Sequence, residues 1–232
     1  MNPILFVTAT VREMKSALGG FVKLPALEQG ETVPVELGGR PGLLLVTGIG
    51  IINAAFALGK ALAVHDPGLV MLAGIAGTFN PESFSIGSAG LVRTEIWPEY
   101  GLKTGDTVDP ESLGFSLGVV EGSPVWDRVD LVSGKSLANS GLDRLAKLPE
   151  AISLTVSGVT ATAAAAARFR SVYAADLENM EGFAVAYACA TAGVEMCELR
   201  TVSNIVGSRE SGDWDLRGAL AGLGRICSGV FS

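Results

Sequence analysis

Three runs in this chain are apolar at nearly every step instead of at alternate ones: ILFVT (Ile4–Thr8), LLLVT (Leu43–Thr47) and GLVMLAG (Gly68–Gly74). A strand with one wet face alternates, whereas a strand without alternation is covered on both faces. Helices packed on either side of a largely parallel sheet supply that cover. Helix is expected from about Val11 and again near Ile51–Val64. Further on, AISLTVSG (Ala151–Gly158) precedes the Ala-rich TATAAAAARF, and SVYAADLE (Ser171–Glu178) leads into an uncharged helix from Phe183 to Val194. CELRTVSN (Cys197–Asn204) is a last strand, and a helix near Trp214–Cys227 follows it. The pattern predicts an α/β fold: one domain over 1–232, with a twisted, mostly parallel or mixed central β-sheet flanked by helices. The stretch 79–150, richer in Gly, Pro, Ser and Asp, reads as extended loops around shorter strands.

Composition removes several function classes. The 232 residues are 48% hydrophobic and 18% charged, so much of the chain must be buried. The formal net charge is −7 and Lys and Arg do not cluster, which argues against nucleic acid as a partner. Cys189, Cys197 and Cys227 form an odd set without CxxC spacing, so neither a disulfide framework nor a zinc site is expected, and no metal or cofactor is implied. His65, the one histidine, ends an Ala-rich helix before DPG and suits a solvated or capping role. Pro41–Gly59 is uncharged, yet its texture is strand, GIG turn and helix, not a membrane span. With no signal-peptide pattern at the start, the cytoplasm is the expected compartment.

In sheets of this kind, function gathers at the carboxyl ends of the strands. The residues there are Thr8–Glu13, Thr47–Gly50, Gly74–Gly77, Asn179–Glu181 and Ser203–Asn204, a mixture of glycine turns, two carboxylates and an amide that suits a small-molecule pocket. GIGIIN (Gly48–Asn53) and GIAG (Gly74–Gly77) read either as simple strand-to-helix turns or as a shared shelf where backbone N–H groups approach a ligand. Glu181 stands at the mouth of the uncharged helix. A first-turn carboxylate favoured by the helix dipole, with Asn179 as cap, is one reading, and a hydrogen-bond acceptor for a diol is the other. Glu13, in TATVREM, is either an ordinary solvated charge or a general base holding a water.

NMEGFAVAYAC and RTVSNIVG resemble the paired signatures of the purine nucleoside phosphorylase and nucleosidase superfamily, and TATVREM, VTGIGIINAA and LAGIAGTF resemble its other pocket segments in the same order. Within it, the segments are most similar to the futalosine hydrolases, which cleave an N-glycosidic bond and release hypoxanthine on a menaquinone route. The resemblance implies a nucleoside as small-molecule partner and a homo-oligomer, dimer or higher. It implies that Glu181 grips the ribose 2′- and 3′-hydroxyls, that Met180 packs on the sugar, and that Gly48, Gly74, Ala76 and Gly77 form the shelf. It also makes Glu13 the water-binding base. Phosphorolytic relatives need a cationic clamp on these loops; GIAGTF holds no Arg or Lys, and TATVREM has Arg12 but also Glu13, whose carboxylate would repel phosphate, so hydrolysis is expected. Adenine-releasing relatives carry Asp where this chain has Asn204; an amide donates to O6 or N7 of a 6-oxopurine, with Ser203 supporting it. Arg209, and Trp97 or Tyr100, are candidates for the benzoate-bearing remainder. Rival expectations are a methylthioadenosine/S-adenosylhomocysteine nucleosidase, a purine nucleoside phosphorylase, and a non-catalytic binding protein of the same fold.

Overall fold

A computed structural model describes residues 2–132, Leu137 and 142–231. Thirteen strands and five α-helices are seen among them. The strands are β1 (Ile4–Thr8), β2 (Thr32–Leu37), β3 (Arg40–Val46), β4 (Leu69–Thr78), β5 (Ala89–Ile96), β6 (Leu102–Thr104), β7 (Thr107–Asp109), β8 (Gly118–Val120), β9 (Ser123–Val125), β10 (Arg128–Asp130), β11 (Glu150–Thr155), β12 (Leu177–Asn179) and β13 (Met196–Ile205). The helices are α1 (Val11–Leu18), α2 (Ile51–Leu62), α3 (Ala163–Tyr173), α4 (Gly182–Ala192) and α5 (Leu216–Phe231).

Nine strands form one mixed sheet in the order β10-β5-β11-β12-β4-β1-β3-β2, with β13 pairing both β4 and β5. β4 organises it. One edge runs parallel to β13 along its length. The other edge is shared: β1 pairs with it from Leu69 to Leu72, and β12 pairs antiparallel at Gly77 and Thr78. Since β5 pairs with β11 and β11 with β12, the strands β4, β13, β5, β11 and β12 close into a ring.

The uninterrupted apolar runs have a plain cause. Ile4 and Phe6 of β1 join Met14, Leu18, Leu223 and Phe231 of α1 and α5 in one core. Leu5 and Val7 face the opposite way, onto Ala54 and Leu58 of α2 and Phe183 and Val185 of α4. Each such fully buried side chain contributes about 1.5–3 kcal/mol relative to exposure.

Some local expectations are corrected. GIAG is not a turn: Gly74–Gly77 continue β4, paired with β13 from Met196↔Val70 to Ile205↔Thr78. SVYAADLE is divided: its first three residues end α3 at Tyr173, and β12 begins at Leu177 before the uncharged helix. The loop-like stretch 79–150 contains β5, an eight-residue strand inside the ring, whose apolar AGLVRTEI is interrupted by buried polar groups. Residues 133–136 and 138–141 of that stretch lie outside the described residues. Gly48 and Gly50 do form a turn, at φ +87° and +94°, values open to glycine at little cost.

Candidate active site

A cavity of about 360 Å³ opens where the carboxyl ends of β1, β4, β12 and β13 converge. Glu13 reaches it from α1. Thr10 caps that helix in a reciprocal capping box: its hydroxyl accepts from Glu13 N (3.2 Å), while Glu13 Oε2 accepts from Thr10 N (2.9 Å) and Thr10 Oγ1 (2.8 Å). The other oxygen has a tertiary task. Pairing of β1 with β4 ends at Leu72, so this edge of β4 lacks a strand partner until β12 arrives at Gly77. Glu13 Oε1 accepts the Ile75 N–H in that gap, at 3.1 Å. A buried carboxylate is thereby held between a helix start and a strand edge, at the cavity wall.

Glu181 is the N-cap residue of α4, but its carboxylate does not cap. Asn179 Oδ1 accepts from Glu181 N (2.8 Å) and Gly182 N (2.7 Å), and Thr155 Oγ1 accepts from Phe183 N (2.7 Å). With the helix start satisfied by others, Glu181 Oε1 is free to accept from Gly50 N at 3.0 Å. Its Oε2 lies 3.8 Å from Arg200 Nη1. Burial raises the Glu181 pKa, opposed by Arg200 and the Gly50 N–H.

Arg200 is the functional-site cation that sequence reasoning missed. It is 1% exposed, on β13 inside the strand ring. Nε donates to Glu198 Oε1 (2.7 Å) and Nη1 to the Ile75 carbonyl (3.2 Å). Burial alone would push its pKa down, but Glu198 and Glu181 hold it above the ordinary value, so the guanidinium stays charged. Behind it lies Glu95 of β5, fully buried and bonded to the Asn179 amide (2.6 Å). Burial, with Glu198 adding to it, pushes the Glu95 pKa well above the carboxylate range. The ring interior thus holds Glu95, Asn179, Glu198 and Arg200 as one polar network abutting Glu181. The available signal was the E-x-R pattern in CELRTVSN, two opposite charges pointing to one side of an otherwise buried strand.

Gly74 does not line the cavity; it makes room behind it. A Cβ there would lie 2.7 Å from Glu13 Oε1 and 2.8 Å from Arg200 Nη1. Gly74→Ala should therefore cost about 1–3 kcal/mol, the range for overpacking. A urea midpoint unchanged at constant slope would show that the two side chains do not need this close approach.

At the other end, a register shift in β13 between Val202 and Asn204 leaves Ser203 as the extra residue and re-aims Asn204. The Ser203 hydroxyl donates to Asn204 Oδ1 (2.8 Å), the shorter of its two acceptor contacts; the Ala76 carbonyl is 3.1 Å away. The Asn204 amide NH₂ is then the available donor. Ala76, Gly77, Met180 and Ile49 complete this wall. Arg209 lies over the Trp214 ring at 5.8 Å, and both border the cavity.

The structure therefore brings Glu13, Ala76, Gly77, Met180, Glu181, Ser203, Asn204 and Arg209 to one cavity. Gly48 stands outside its wall, packed on Gln29, and Gly50 supplies the N–H instead. Trp97 and Tyr100 are elsewhere: they stack at 5.6 Å, and Trp97 borders a separate apolar groove between α2 and α4.

Residues 3–221 match the model of the phosphorylase superfamily. Futalosine hydrolase of Thermus thermophilus is 36% identical over 82% of this chain and 80% of its own length. Futalosine hydrolase of Streptomyces coelicolor is 37% identical over 78% of this chain and 74% of its own length. The native structure of futalosine hydrolase from Helicobacter pylori superposes with a TM-score of 0.78 over 99% of this chain and 97% of that one, at 16% identity, a likeness of fold. A match over nearly the whole chain, on a sheet whose strand ends carry this cavity, makes the chain a member of the phosphorylase superfamily.

Proposed function

We propose that this protein hydrolyses the N-glycosidic bond of futalosine and releases hypoxanthine. The observation that carries the reading is the pairing of two buried carboxylates, Glu13 and Glu181, at one end of a cavity whose other end presents the Asn204 amide. Glu181 accepts hydrogen bonds from the ribose diol, strengthened by the dry surroundings. As the bond from C1′ to the base stretches, positive charge builds on the sugar, and the nearby carboxylates stabilise it. Glu13 orients a water and takes its proton. Asn204 donates to the departing purine. Arg200 is 1% exposed, is turned toward Glu198, the Ile75 carbonyl and Glu181, and does not line the cavity, so it is not an open phosphate clamp. Hydrolysis is favoured over phosphorolysis because the buried Glu13 carboxylate at the cavity wall, beside Arg12, would repel phosphate. Incubation with futalosine, inosine and methylthioadenosine, with and without phosphate, tests this by the base released; phosphate-dependent turnover would refute it.

Asn204→Asp is expected to move substrate choice. An ionised Asp would face the lone pairs of O6, and a mismatched buried polar pair costs about 1–3 kcal/mol, roughly ten- to a hundredfold in rate. Hypoxanthine release should fall, and adenine release from the 6-amino analogue should rise relative to it. An unchanged ratio of kcat/KM values would remove Asn204 from purine reading.

A homo-oligomer belongs to the same proposal. On α2, Ile52 is 84% and Phe56 74% exposed, next to Ile49 at the cavity, an apolar face that a second copy would cover. Light scattering that gave a monomer at micromolar concentration would refute it. No helix among the described residues is long and apolar enough to cross a membrane. The three cysteines are free and buried, in keeping with the reducing cytoplasm proposed as its compartment.

A further inference from the structure

Glu178 is an acidic residue of the cavity wall for which the hydrolytic reading has no task. It is 6% exposed, on β12. The Thr160 N–H donates to its Oε1 (3.1 Å) and the Thr160 hydroxyl to its Oε2. Those two bonds fix the carboxylate plane and leave one lone pair on each oxygen for another donor.

Its place in the sheet matters more. Glu178 stands opposite Gly77 on one side of β4, and Asn204 stands opposite Gly77 on the other. Residues in register across neighbouring strands direct their side chains to one face of the sheet. With strands spaced about 4.8 Å apart, the Cα atoms of Glu178 and Asn204 are separated by about 10 Å. Between them Gly77 has no side chain, and a Cβ there would come within 3.0 Å of Asn204 Nδ2. The result is a bare strip of backbone with an amide donor at one end and a carboxylate acceptor at the other. All three residues line the cavity, with Thr160 and Val159 beside Glu178.

A flat heterocycle fits such a strip when one edge accepts and the neighbouring position donates. A 6-oxopurine does this, through its O6 and its N1–H. A 6-aminopurine presents the reverse, a donor at the 6-amino group and an acceptor at N1, and would be mismatched at both ends. We propose that Glu178 is a specificity-determining residue that accepts the N1–H of a 6-oxopurine while Asn204 donates to O6. The assignment rests on reading this cavity as the purine site. It makes the preference for hypoxanthine a two-point recognition, in which Asn204 alone carries only half.

The test uses Glu178→Gln, which keeps size and at least one bond to Thr160, and which places an NH₂ where N1 of adenine can accept. The ratio of kcat/KM for futalosine to that for its 6-amino analogue should fall by about tenfold or more. Calorimetric binding of hypoxanthine and adenine, as free bases, should shift in the same sense. If Glu178→Gln does not fold, Thr160→Val serves instead: it removes the hydroxyl that donates to Glu178 Oε2 while leaving the carboxylate itself in place, and should lower the same ratio to a smaller extent. A ratio that stays constant, with both substrates slowed equally, would overturn the proposal and reduce Glu178 to a structural partner of Thr160. Hydrolysis would stand in that case. Conversely, a shift in base binding without any turnover of futalosine would uphold Glu178 while refuting the hydrolase reading.

Discussion

Glu13→Gln should still bind nucleoside yet turn it over 10²–10⁴-fold more slowly, the range a general base contributes. The reason is specific to the geometry. Glu13 accepts from Ile75 N at one oxygen and from Thr10 N and Oγ1 at the other, so all of its protein partners can donate. The position is built for an acceptor-only side chain. An amide keeps the shape but cannot take a proton from water, and its NH₂ must face one of those backbone N–H groups. A second, smaller effect follows: the capping box is weakened, at about 0.5–2 kcal/mol of stability. The two effects separate experimentally. Single-turnover kinetics on futalosine read the first and urea unfolding reads the second. A variant with kcat within tenfold of the parent would show that Glu13 is not the base, whatever its stability.

Arg200→Met should be the most destabilising single change in the site. The guanidinium is the charge partner of two buried carboxylates, donating to Glu198 at 2.7 Å and lying 3.8 Å from Glu181. Removing one partner of a buried ion pair costs about 3–5 kcal/mol, because the other charge remains in a dry interior. Against a total stability of about 5–15 kcal/mol that loss is large. Methionine fills much of the same volume, so the loss would come from charge and not from a cavity. The double variant Arg200→Met/Glu198→Gln discriminates further: once Glu198 is neutral, part of the loss should be recovered, a positive coupling in a double-mutant cycle. A loss below about 1 kcal/mol for Arg200→Met, or no recovery in the double variant, would show that the ring interior does not depend on this compensation.

Legibility in the sequence tracked the range of the interaction. Glu13 was legible as a first-turn helix residue, but its own segment left it open between a solvated charge and a base, and the resemblance assigned the role; the capping box with Thr10 emerged only in the structure. Gly48–Gly50 was visible as a turn because positive φ selects glycine within the segment itself. GIAG misled for the converse reason. Its glycines are required by contacts with Glu13, Arg200 and Asn204, none adjacent in the chain, and a glycine kept for close approach looks the same in sequence as one kept for turning. Glu181 was placed correctly at a helix mouth. That its first N–H groups are served by Asn179 and Thr155 also depends on β11 lying beside β12.

The sequence by itself determined the class of the fold. Short unalternating apolar runs bounded by turn signals read as strands covered on both sides, and the hydrophobic effect needs no knowledge of partners to impose that cover. It determined too that Thr8–Glu13, Thr47–Gly50 and Asn179–Glu181 lie at strand ends, though not that Gly74–Gly77 continue β4. Only the tertiary structure decided that the strands close into a ring, that β5 runs through it, and that Glu95, Glu198 and Arg200 meet inside. Those contacts join residues far apart in the chain, and strand register, not local preference, selects them. A period-two pattern says which face a residue is on, but not which strand lies beside it. The placing of Glu178 and Asn204 on either side of Gly77 is of that kind: it arises only when β12, β4 and β13 are laid side by side.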